Sequence, residues 1–217
     1  MTETKTTYHI LILLLVVVSY ISSCTQKNYV PQSGDLLFQV SESNGFTDAI
    51  INTTGDVSTI SFSHVGIVCL EDDETFVIEA LPNFGVQKVS LQDFLDASAH
   101  DKNGNPLVNA YRVNSEIEIQ NPVSIAKTYL GMPYDSVFLP DNNAIYCSEL
   151  ISKSYLSPNG KEIFTAIPMS FSDTTGQIDP YWVEYFEKLE LVVPQGVLGT
   201  NPNDLSKEKI LKHIGQL

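Results

Sequence analysis

The strongest constraint on the fold is a pair of apolar runs held four acidic residues apart. Residues 65–70 and 75–80 are rich in β-branched and aromatic side chains, and Glu71-Asp72-Asp73-Glu74 between them reads as the turn of a β-hairpin. If that turn centres between Asp72 and Asp73, His64 stands opposite Leu81, and Glu79 lies one diagonal step away on the same face. A slip of one residue would carry Glu79 to the other face. Further strands are predicted at 35–40, 86–89 and 109–113, with a short helix at 91–97 where Leu91, Phe94 and Leu95 recur at helical spacing. Helices are predicted in the second half at 122–130, at 147–156 closed by Pro158-Asn159-Gly160, at 180–189, and at 205–214 with Asp204 as cap. The fold class is α+β, a small antiparallel sheet packed against helices.

The first 23 residues stand outside this domain. Leu11 to Ile21 is almost wholly apolar and is followed by Ser22, Ser23 and Cys24. That run is short for a membrane span of about 20 residues, and small residues before a cysteine are what a lipoprotein signal peptidase cuts after. Ile21-Ser22-Ser23-Cys24 resembles the bacterial lipobox. The expected organisation is a lipoprotein signal peptide over 1–23, a tether over 24–33 beginning at an acylated Cys24, and one domain over 34–217. This places the domain in a bacterial cell envelope, lipid-anchored and facing the periplasm or the exterior. The amino-terminal region is only weakly basic, and the alternatives are an uncleaved anchor helix or a plain signal.

The formal charge is -14, and Glu3 and Lys5 cancel, so the part that follows the predicted signal carries all of it. No run of Lys or Arg is present to grip phosphates, which argues against nucleic acid as a partner. Of the three cysteines, Cys69 falls inside a buried-strand pattern, where a small apolar thiol is an ordinary core residue. Pairing of Cys69 with Cys147 is the alternative in an oxidising compartment. No Cys-x-x-Cys or His-x-x-x-His spacing occurs, so no structural zinc site is expected.

Two short strings carry the chemistry. Ser63-His64-Val65-Gly66-Ile67-Val68 puts a histidine at the start of a buried strand, with a glycine where a side chain would crowd a neighbour. Tyr146-Cys147-Ser148-Glu149-Leu150-Ile151 opens a helix on a thiol, where free N–H groups and the helix dipole stabilise a thiolate and can hold an oxyanion. His64 is the one histidine in a structured apolar setting: His9 lies in the signal, His100 in a polar loop, and His213 four residues from the end. Each string alone is more often structural than catalytic; their combination is what points to a Cys-His pair.

In this order the strings resemble the papain-like amidases of the circularly permuted group, which includes YiiX-like proteins and, more distantly, the lecithin–retinol acyltransferase proteins. In the unpermuted cell-wall peptidases of this fold the cysteine helix comes first; here His64-Val65-Gly66-Ile67 precedes Cys147-Ser148-Glu149-Leu150. Gly34-Asp35-Leu36-Leu37 and Pro133-Tyr134-Asp135 also look like that group. The resemblance implies Cys147 as nucleophile, His64 as base and a third polar residue on the strand after the histidine, a place that Glu79 occupies. Tyr134 or Tyr146 is a candidate oxyanion contact. The implied reaction is thiolate attack on an amide or thioester carbonyl and hydrolysis of the acyl-enzyme, with no metal or organic cofactor. The implied substrate is a peptide or amide derived from the cell wall. A lipid-directed acyltransferase or esterase is the second enzymatic reading, favoured by a hydrophobic groove, and a non-catalytic binding lipoprotein is the third. Glu149 is close to Cys147 in sequence, yet residues two apart on a helix point about 200° from each other, so it is expected to face away and serve the first helical turn.

Overall fold

The computed structural model describes residues 29–56, 60–140 and 142–217. The predicted signal peptide, Cys24 and the first tether residues lie outside them. The strands are β1 (Leu36–Gln39), β2 (His64–Glu71), β3 (Glu74–Leu81), β4 (Gly85–Ser90), β5 (Val108–Val113), β6 (Ile167–Pro168), β7 (Leu198–Gly199) and β8 (Leu211–Gln216). Among the described residues, six of them form one sheet in the order β4-β3-β2-β1-β5-β8, with every neighbouring pair antiparallel, and β6 pairs with β7.

The hairpin forms in the register its sequence implies. Glu71 pairs with Glu74 and Ile67 with Ile78, so the turn centres between Asp72 and Asp73. Both aspartates have positive φ, 48° and 66°, the backbone of a tight two-residue turn whose twist matches its strands. The glycine expected to relieve crowding is Gly66, where a Cβ would meet Val77 Cγ1 at 2.4 Å.

The helices are α1 (Gly45–Thr54), α2 (Leu91–Asp96), α3 (Pro122–Lys127), α4 (Cys147–Ser154), α5 (Pro180–Lys188) and α6 (Pro202–Ser206). One face of the sheet, with Val65, Ile67, Cys69, Ile78 and Ala80, packs on Val123 and Ala126 of α3 and Leu150 and Ile151 of α4. The other, with Leu37, Val68, Val77, Val108 and Ala110, packs on Phe94 of α2. A third cluster is aromatic: Trp182 and Phe186 of α5 gather Phe138, Tyr146, Met169 and Phe171 against Ala49 of α1. It lies beside the nucleophile helix, since Tyr146 is the residue that precedes it.

One expectation is corrected. The predicted helix at 205–214 is the short α6, capped by Asn201 Oδ1 and not by Asp204, followed by an edge strand. Leu211–Gln216 pairs along β5, and this tertiary pairing outweighs a helical spacing only ten residues long. Helix α1, absent from the sequence reading, starts at Asn44, whose side chain accepts the Phe46 and Thr47 N–H groups. The described end of the predicted tether is also docked. Tyr29 donates its hydroxyl to Asp35, and Ser33 Oγ accepts the Leu70 N–H.

Candidate active site

His64 is the first residue of β2, Cys147 the first of α4, and Glu79 lies on β3. All three are buried. His64 Nε2 lies 2.7 Å from Glu79 Oε2, the diagonal contact that the hairpin register allows. Cys147 is the other group beside the ring that raises its affinity for a proton. The second Glu79 oxygen accepts Gln87 Nε2–H at 3.0 Å from β4, where Gln87 pairs directly with Glu79. Burial disfavours a charged imidazole, but the hydrogen bonds to Cys147 and Glu79 and their negative charges outweigh it, pushing the His64 pKa up to about 10. The arrangement therefore favours an imidazolium.

The first turn of α4 leaves its N–H groups free of any side-chain cap from Tyr146, as an oxyanion site requires. The two tyrosine candidates differ. Tyr146 turns its hydroxyl toward β7, accepting the Thr200 N–H at 3.1 Å and lying 3.9 Å from Met169 Sδ, and burial pushes its pKa up to about 12. It is thereby committed to anchoring that ribbon. Tyr134 faces the Cys147 charge, and burial together with that charge holds its hydroxyl well above the usual tyrosine pKa, as a neutral donor. Its loop is fixed by Asp135, whose carboxylate accepts the N–H groups of Val137, Phe138 and Leu139 at 2.9 Å each.

Glu149 pairs with Lys153 at 3.4 Å and makes no contact with His64; burial pushes its pKa up to about 7 against the pull of Lys153. Cys69 and Cys147 are both free thiols, so the alternative of a disulfide does not hold. His213 bonds Asn109 on β5, remote from the Cys-His pair in the sheet order. Gln87 and the loop-fixing role of Asp135 escaped the sequence reading. Gln87 could have been placed only by carrying the hairpin register through a second turn, while Asp135 had a local signal, a short acidic side chain two residues before free N–H groups.

Cys147 lies between two cavities. A polar groove of about 560 Å³ is lined by His64, Glu79, Glu42, Asn44 and Asn83 with Phe46, Tyr181 and Tyr185. A smaller pocket of about 50 Å³ is walled by Phe138, Met169, Phe171, Trp182 and Ile50. Trp182 Nε1 in that wall is buried without a hydrogen-bond partner.

An antiparallel sheet whose histidine strand precedes a helix opening on cysteine defines a permuted papain-like architecture. The chain belongs to the permuted papain-like amidase family, YaeF/YiiX, C92, which matches residues 30–215. It is 29% identical over 150 residues to the uncharacterized protein YiiX of Escherichia coli strain K12, covering 69% of each chain. The crystal structure of the metalloprotein yiiX from Escherichia coli O157:H7 matches with a TM-score of 0.68 at 23% identity, covering 87% of this chain and 99% of that one. Among the described residues no group of three or more His, Cys, Asp or Glu side chains is arranged to hold a metal ion.

Proposed function

We propose that the protein is a cysteine amidase acting on amide bonds of cell-wall peptides, with Cys147 as nucleophile, His64 as general base and acid, and Glu79 as the residue that orients the imidazole. The observation that carries this reading is the buried chain of hydrogen bonds from His64 through Glu79 to Gln87, in the same cavity as Cys147 at the start of its helix. Thiolate attack forms a thioester with the acyl carbon, and His64 gives its proton to the departing amine. The ring then takes a proton from water, which releases the acid and restores the thiol pair. The free N–H groups of α4 and the Tyr134 hydroxyl are the donors for the oxyanion. Two features support the substrate class. The export-type segment and Cys24 put the domain on an envelope surface by a lipid. In the groove Glu42 is exposed, while no Lys or Arg lines it, so a free amine finds a carboxylate and a free carboxylate finds no cation. Incubation of the wild type and Cys147→Ala with purified muropeptides, read by mass spectrometry, tests this. New amines are expected with the wild type alone. Equal release by both proteins contradicts the assignment, and no cleavage by either removes the cell-wall substrate.

A further inference from the structure

The two cavities flanking Cys147 differ in one respect that orients the substrate: His64 lines the polar groove and does not line the apolar pocket. In acyl transfer from a leaving amine to a thiol, the imidazolium gives its proton to the leaving group, so the leaving group lies on the ring's side. The acyl group then lies on the other side of the thiol. We infer that the pocket walled by Phe138, Met169, Phe171 and Trp182 receives the acyl side of the substrate, and that the group next to the scissile carbonyl on that side is short and apolar. The inference rests on the proposed thiol hydrolase reading and adds to it the direction and size of the substrate.

The size follows from the free room. The pocket holds about 50 Å³, a third of the ~150 Å³ that accepts a benzene ring. A chain of three or four carbons fills that space; an eight-carbon chain requires its walls to part. Met169 is the wall residue best able to yield, being unbranched, but its sulfur is held in place: a Cβ on the adjoining Gly199 would meet Met169 Sδ at 2.6 Å and the Tyr146 hydroxyl at 2.7 Å.

Acyl p-nitrophenyl esters test the pocket apart from the natural substrate. Cys147 Sγ bonds the acyl carbon as the ester C–O bond breaks and p-nitrophenolate leaves. The full-length protein is treated with the acetyl, butyryl and octanoyl esters, nitrophenolate release is timed, and the adduct on the Cys147 peptide is identified by mass. Butyryl is expected to acylate about tenfold or more faster than acetyl, as a filled against an unfilled apolar pocket, and faster than octanoyl. Met169→Ala is expected to raise the octanoyl rate relative to butyryl. Acylation of Cys147 with octanoyl at least as fast as butyryl in the wild type, or with a flat profile, overturns the inference while leaving the hydrolase reading intact. Failure of all three esters to acylate Cys147 in folded protein overturns that reading and the inference with it.

Discussion

Two carboxylates compete for the role of partner to His64, and their surroundings separate them. Glu79 is buried, bonded to the ring at 2.7 Å and to Gln87 at 3.0 Å. In the proposed mechanism it fixes the tautomer and stabilises the imidazolium, so Glu79→Gln is expected to lower kcat by 10²-fold or more, on the order of general acid–base contributions, with the fold retained. Glu149 serves its own helix, and its raised pKa adds a sign. Its carboxyl ordinarily titrates near 4.5 and does so near 7 in the fold, so the native state holds the proton more tightly. Stability contributed by the protonated carboxyl is full below about pH 4.5 and is lost as the pH rises through about 7. Glu149→Gln lacks that dependence. Urea unfolding of both proteins across this window should show the wild type losing stability relative to the variant as pH rises, with kcat little changed by the substitution. The opposite slope, or a kcat loss larger than that of Glu79→Gln, would assign the third position to Glu149. His64→Ala is a poor control at this site, because it strands a buried carboxylate; His64→Gln keeps a donor for it.

The β2–β3 hairpin was legible in the sequence because its information is local. Four acidic residues at the turn, apolar alternation on both sides and a glycine at the crowded position fix a register, and the register alone puts Glu79 on the face of His64. The cysteine helix was legible for the same reason. What could not be read depends on distant partners: β8 exists because β5 offers it an edge, and the aromatic cluster forms between segments more than a hundred residues apart. Asp35 belongs with these, buried and paired to Arg112 at 2.5 Å across 77 residues. Gly66 tests the hairpin as an element. An added methyl meets Val77 at 2.4 Å, Phe94 at 3.2 Å and the Ile78 carbonyl at 3.3 Å, so Gly66→Ala forces β3 to shift. The expected cost is about 1–3 kcal/mol in denaturant unfolding, with kcat reduced because Glu79 moves with its strand. An alanine variant as stable and active as the wild type would contradict this packing.

At the scale of the whole molecule, the sheet holds the histidine strand on one side of the cysteine helix and the aromatic cluster closes the other, so Cys147 lies between a polar groove and an apolar pocket. Among the described residues no helix is long and apolar enough to cross a membrane. The proposed attachment is through Cys24, and Cys24→Ser is expected to move the protein from the detergent phase to the aqueous phase in Triton X-114 partitioning; unchanged partitioning rejects lipidation there. The central claim is that Cys147 is a thiolate sustained by His64, and the most direct test is the rate at which iodoacetamide alkylates it at pH 6. The rate is followed by the mass of the Cys147 peptide in the wild type and in folded His64→Gln. The account predicts rapid alkylation in the wild type and a fall of at least about tenfold in the variant. Slow alkylation in both, or equal rates in the two, would contradict it.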